Sequence, residues 1–90
     1  MIRYTQSFLN KLEDLISETD YILRYEKGNF KPGYCIIKEK KIIIINKYYP
    51  TDGKINCLIE IIRQLPVDVS SLSEKNKQLF AKVSQTEIQV

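Results

Sequence analysis

The sequence predicts a single α+β domain with the element order α-β-β-β-α-α, in which helices pack a three-stranded, mostly antiparallel sheet. Three observations carry that prediction. Apolar residues recur at helical spacing toward both ends of the chain, whereas residues 21–46 are rich in Ile and Tyr and hold the unbroken run Ile42-Ile43-Ile44-Ile45. Ninety residues with a 43% apolar share supply one core. A core of this size leaves much surface uncovered, and a partner subunit is one way to cover it.

Within residues 5–18, Phe8, Leu9, Leu12, Leu15 and Ile16 fall on one helical stripe. Asn10, Lys11, Asp14, Ser17 and Glu18 make the opposite, solvated side, and Thr19-Asp20 end the pattern. Residues 21–26 then alternate Tyr21, Leu23 and Tyr25 with Ile22, Arg24 and Glu26, the period of a strand. Gly28, Pro32 and Gly33 make residues 27–33 a turn or irregular loop. Residues 33–39 and 41–46 are two β-rich runs joined at Glu39-Lys40, a hairpin that lacks an Asn-Gly turn. The four isoleucines place apolar side chains on both faces of the last strand, so it is expected in the interior of the sheet and covered on both sides.

Thr51-Asp52-Gly53 offers N-cap chemistry for a second helix, whose stripe of Ile55, Leu58, Ile59, Ile62 and Leu65 ends at Pro66. Ser71 and Glu74 have the spacing of a capping box, and Leu72, Leu79, Phe80 and Val83 mark a third helix. The domain is therefore expected to span residues 1–83, with 84–90 as a flexible C-terminal tail. Helices one and two should cover one sheet face. The other face needs helix three, a second subunit or both, and a three-stranded sheet also leaves an exposed edge. Self-association as a homodimer follows as an expectation.

Met1-Ile2-Arg3-Tyr4 leads directly into an amphipathic stretch without the apolar core or cleavage site of a secretion signal, so a cytoplasmic location is expected. The longest wholly apolar run has four residues, far below the roughly 20 that span a bilayer. No membrane partner is expected. Cys35 and Cys57 each sit in an apolar pattern and read as reduced core thiols.

The chain holds no His, which removes the usual general base and the commonest zinc ligand. Gly28 and Gly33 match neither a P-loop nor G-x-G-x-x-G, and the cysteines lie 22 positions apart without a CxxC pair. No catalytic residue, metal or cofactor is expected, and the chain reads as a non-enzymatic domain that acts through protein-protein contacts.

In Gly33-Tyr34-Cys35, a strand ending at Asn46 and the helical Ile59-Glu60-Ile61-Ile62-Arg63, the order of elements resembles the minimal core of small zincin-like metallopeptidases. That family carries H-E-x-x-H on the helix. Here Glu60 alone matches, with Ile59 and Arg63 at the two ligand positions, so the resemblance implies a scaffold that has lost its metal and retains Glu60 as a vestigial position. Without the family, Glu60 and Arg63 read as an exposed i, i+3 ion pair. Residues 25–35, with Ile45-Asn46-Lys47 and Lys54-Ile55-Asn56, are also similar to a family of short uncharacterised bacterial proteins, a likeness that implies no activity, substrate or site.

The net charge of +3 is unevenly spread, since residues 21–54 hold eight Lys or Arg against three acids while the first twenty residues sum to −2. Arg24, Lys27, Lys31 and Lys47, interleaved with Tyr25, Phe30, Tyr34, Tyr48 and Tyr49, make RNA or single-stranded nucleic acid the alternative partner. Lysines at strand ends equally guard against edge pairing. For a protein partner, Phe30 in the loop and Tyr48 and Tyr49 beside Pro50 are the expected anchors, because large aromatics dominate interface energetics.

Overall fold

The computed structural model of the chain describes residues 3–28 and 33–85. Helix α1 (Gln6–Ser17) starts where the Thr5 side chain accepts a hydrogen bond from the Phe8 amide at 3.1 Å, and it buries Phe8, Leu9, Leu12, Leu15 and Ile16, the predicted stripe. The chain leaves α1 through Thr19, whose hydroxyl donates to the Ile16 carbonyl (2.6 Å) and accepts from the Tyr21 amide (3.1 Å).

Strands β1 (Ile22–Glu26), β2 (Tyr34–Ile37) and β3 (Ile42–Asn46) form one sheet in the order β1-β3-β2. The isoleucine strand is central, as its composition requires. It pairs antiparallel with β2, the expected hairpin, and parallel with β1, so the sheet is mixed. The parallel pairing follows from connection length: fifteen residues separate β1 from β3, enough for a crossover, and β2 is part of that crossover. The hairpin turn closes with the Lys41 amide on the Lys38 carbonyl (3.3 Å), and Lys41 takes the left-handed conformation (φ 53°) that an Asn-Gly turn would assign to glycine.

Helix α2 (Thr51–Gln64) buries Ile55, Cys57, Leu58, Ile59, Ile61 and Ile62 and stops before Pro66. The expected N-cap at Thr51-Asp52-Gly53 is not the one used. Pro50 takes the cap position without a side-chain bond, and Asp52 lies in the first turn, where its charge complements the helix dipole. A 3-10 turn (Val69–Ser71), capped by the Asp68 carboxylate on the Ser70 amide (3.1 Å), leads to α3 (Glu74–Gln85). The Ser71/Glu74 capping box is likewise displaced. Ser71 donates its hydroxyl to the Asp68 carbonyl (2.8 Å), while the Ser73 carbonyl accepts the first helical bond, from Lys77 (2.8 Å). Ser84 and Gln85 continue α3, so the predicted boundary at residue 83 falls two residues inside the helix; residues 86–90 lie outside the described residues.

All three helices lie on one side of the sheet. Leu23 and Tyr25, Ile43 and Ile45, and Tyr34 and Ile36 form the inner face, which packs against α1 and α2; Ile43 and Ile45 are fully buried. Helix α3 adds to the helical layer by packing on α2 and α1, with Val83 fully buried, rather than crossing to the other sheet face. Among the described residues no helix is long and apolar enough to cross a membrane.

Candidate functional site

The outer face of the sheet is built from the residues of opposite parity. Ile22 pairs with Ile42, Arg24 with Ile44 and Glu26 with Asn46 across β1 and β3, while Cys35 and Ile37 of β2 stand beside Ile44 and Ile42. Four isoleucines and a cysteine thus form a continuous apolar surface that no described element covers. Ile22 is 60% exposed, and Ile37, Ile42, Ile44 and Cys35 are half-buried. Its one charged pair neutralises itself, with Arg24 Nε 3.0 Å from Glu26 Oε2.

The lysines of the basic segment stand at two ends of the sheet, with the predicted Lys27 and Lys47 together at one of them. Lys38, Lys40 and Lys41 are exposed at the hairpin end of the sheet, and Lys41 pairs with Asp20 at 3.3 Å. Lys27 and Lys47 are exposed at the opposite end, where the Lys47 amide bonds the Glu26 carbonyl. A five-residue strand separates the two groups by about 17 Å. Arg24 sits between them, already engaged by Glu26. Lys31 and Phe30 lie outside the described residues.

The tyrosines are mostly occupied within the chain. Tyr25 donates its hydroxyl to Glu13, and burial, reinforced by that carboxylate, pushes its pKa up so that the phenol stays protonated. Lys54 lies over the Tyr25 ring, 5.0 Å from its centroid. Tyr34 accepts from Gln64 Nε2 (2.9 Å). Tyr49 is half-buried between Gly33 and Gly53, whose lack of side chains makes room for its ring. Of the two predicted anchors that are described, Tyr49 is thus a packing residue, and Tyr48 is the open one, 68% exposed with Lys47 over its ring.

Glu60 projects from the solvent side of α2, between buried Ile59 and Ile61, and lines none of the four best-formed cavities among the described residues. The expected Glu60–Arg63 ion pair is not formed, and both side chains are exposed; ion pairs among the described residues include Arg24–Glu26, Lys41–Asp20, Lys75–Asp14 and Lys77–Glu74. Among the described residues no three His, Cys, Asp or Glu side chains come together as a metal site. Both cysteines are free thiols. Burial, with Glu60 nearby, raises the pKa of the Cys57 thiol and keeps it from being a ready thiolate.

Sequence reasoning missed the polar seam between α1 and α3. Asn76 is 2% exposed and donates to Asp14 (3.1 Å), which also faces Lys75 (3.3 Å), and Glu18 accepts from the Ser73 amide (2.8 Å). These partners hold both carboxyl groups below their ordinary pKa, Asp14 through Asn76 first and Glu18 through the Ser73 amide first. The signal was available in the helical period, since Asn76 lies four residues after Leu72 and seven before Val83 and so shares their inward stripe. Compared with protein-family models, curated proteins and solved structures, the chain matches none.

Proposed function

We propose that this domain is a non-enzymatic binding module that works through protein-protein contact, with the outer sheet face as its surface and a second copy of the chain as the occupant. The observation that carries the reading is the uncovered isoleucine face of Ile22, Ile37, Ile42 and Ile44. A sheet with helices on one side and isoleucines on the other is the half-product of a layered fold, and a facing sheet completes it at about 10 Å separation. The face is electrically neutral, because Arg24 and Glu26 satisfy each other, so it matches an identical apolar face better than a charged partner.

Size sets the strength. Three strands about 4.8 Å apart and five residues at about 3.3 Å make a patch of roughly 14 by 17 Å, well below the about 800 Å² per partner of a standard stable interface. Association through it is weak, with a dissociation constant of about 10 μM or above.

Salt separates this reading from nucleic-acid binding through Lys27, Lys47 and Arg24. Two approaching sheets bring their lysine rims together, and screening relieves that repulsion, so self-association strengthens between about 50 and 500 mM salt. Phosphate-driven binding weakens over the same range. Sedimentation velocity across protein concentration at both salt levels is the test, with Ile22→Lys as the interface variant, since that side chain is already largely in water. The wild type should dimerise more at high salt and Ile22→Lys should remain monomeric. A wild type that stays monomeric at millimolar concentration, or oligonucleotide binding that fades with salt in its place, would refute the proposal.

A further inference from the structure

Away from the outer face, the groove between α1 and α3 gathers positive charge from three parts of the chain. The two helices run antiparallel, since Asn76 near the start of α3 bonds Asp14 toward the end of α1, and Lys82 lies over the Phe8 ring at the other end, 6.0 Å from its centroid. Lys75, Leu79 and Lys82 fall at i, i+4 and i+7, one stripe of α3, and with Lys11 and Asp14 of α1 they line a cavity of about 440 Å³. A second cavity of about 450 Å³ continues past Arg3, and Lys11 and Lys82 line both. Four cations therefore line one groove against a single carboxylate, and that carboxylate, Asp14, is already held by Asn76 and Lys75. Among the described residues Arg3 and Lys11 have no ion-pair partner. Like charges drawn to one concave surface repel each other, and an anionic occupant relieves that repulsion.

We infer that the α1–α3 groove is a docking site for an acidic amphipathic helix of a partner protein. Half-buried Leu79 and the aliphatic stems of the lysines give the apolar floor on which such a helix lays its own apolar stripe, and the ammonium groups at the rim meet its carboxylates. Lys75 and Lys82 stand two turns apart, about 10 Å, the separation of Glu residues at i and i+7 on the incoming helix. A nucleic acid fits less well. Phe8, the one aromatic side chain lining either cavity among the described residues, is buried beneath Lys82 and offers no open ring for a base to stack on. A second copy fits less well too, because α1 carries two acids against one lysine, α2 is balanced and α3 is basic, so none of its helices is strongly acidic.

The test titrates isotope-labelled protein with the acetylated and amidated peptide (Leu-Glu-Ala-Glu-Leu-Glu-Ala)2, with its counterpart carrying Lys in place of Glu, and with an oligothymidylate of about twelve nucleotides. At about 50 mM salt the acidic peptide should shift the amide signals of Lys11, Leu79 and Lys82 and leave those of Ile42 and Ile44 in place, and the basic peptide should shift none of them. Affinity for the acidic peptide should fall about five- to tenfold by about 500 mM salt, the opposite sign to pairing of the outer sheet faces, so either can fail without the other. Lys11→Gln with Lys82→Gln, both exposed and so without consequence for folding, should weaken binding about two- to fivefold per lysine, the scale of exposed charge pairs. Lys38→Gln with Lys40→Gln removes the same charge at the hairpin end and should change affinity less than about twofold. The inference fails if the acidic peptide moves the outer-face isoleucine signals alone or no signal at all, if the two lysine pairs weaken binding equally, or if the oligothymidylate binds these groove residues more tightly than the peptide does, which would assign the groove to nucleic acid.

Discussion

Gly33 shows how much of this small core depends on one backbone position. Its φ of +114° lies in the region that side chains avoid, and a Cβ there would stand 2.5 Å from the Tyr49 ring. Gly33→Ala should therefore cost about 2–4 kcal/mol of stability, backbone strain and overpacking together, read as a lowered denaturant midpoint. A loss below about 0.5 kcal/mol would mean that the ring is free to move aside. Asn46 is a second organiser, since its amide side chain donates to the Gly28 carbonyl (3.0 Å) and accepts from the Tyr48 amide (3.0 Å), tying the end of β1 to the turn before α2. The sequence showed Gly33 as a loop glycine and Asn46 as the end of a strand. It did not show that Tyr49 packs in rather than out, because that depends on Gly33 and Gly53 approaching it from two different elements.

Among the elements, the helices and the central place of β3 were legible, and the parallel direction of β1 was not. The stripes in α1 and α2 name their own buried residues, Phe8 to Ile16 and Ile55 to Ile62, since helical periodicity is local. The parallel direction of β1 against β3 is a long-range choice that no local pattern encodes, and it is the part of the sheet that the expectation of a mostly antiparallel arrangement left open. Helix α3 has the weakest apolar stripe and is fastened to α1 by Asp14 on Asn76 and Lys75 and by Glu18 on the Ser73 amide. Both carboxyl groups have folded pKa values below their unfolded ones, so their contribution is present above the ordinary carboxylate range of about 4 and is lost as pH falls through the lower folded values. Amide exchange in α3 should accelerate between about pH 4 and pH 2 before that in α2 does, and Asp14→Asn with Glu18→Gln should flatten the difference. Simultaneous acceleration in both helices would show that the seam does not fasten α3 selectively.

For the molecule as a whole, the isoleucine run announced that β3 is apolar on both sides, and the structure divides those sides unequally. Ile43 and Ile45 face the layer of α1 and α2, and Ile42 and Ile44 face the opposite side. The open face was therefore implied by composition, whereas its extent required knowing that α3 joins the helical layer. The expected contact aromatics belong to loops, where Tyr48 is exposed, but the larger apolar surface is aliphatic and lies on the sheet itself. Isotope-filtered NOE spectroscopy on a mixture of labelled and unlabelled chains at about 1 mM decides whether the outer sheet face meets a second copy. Intermolecular cross-peaks are expected among the methyl groups of Ile22, Ile37, Ile42 and Ile44; cross-peaks confined to other surfaces, or none at that concentration, would refute the pairing of these faces.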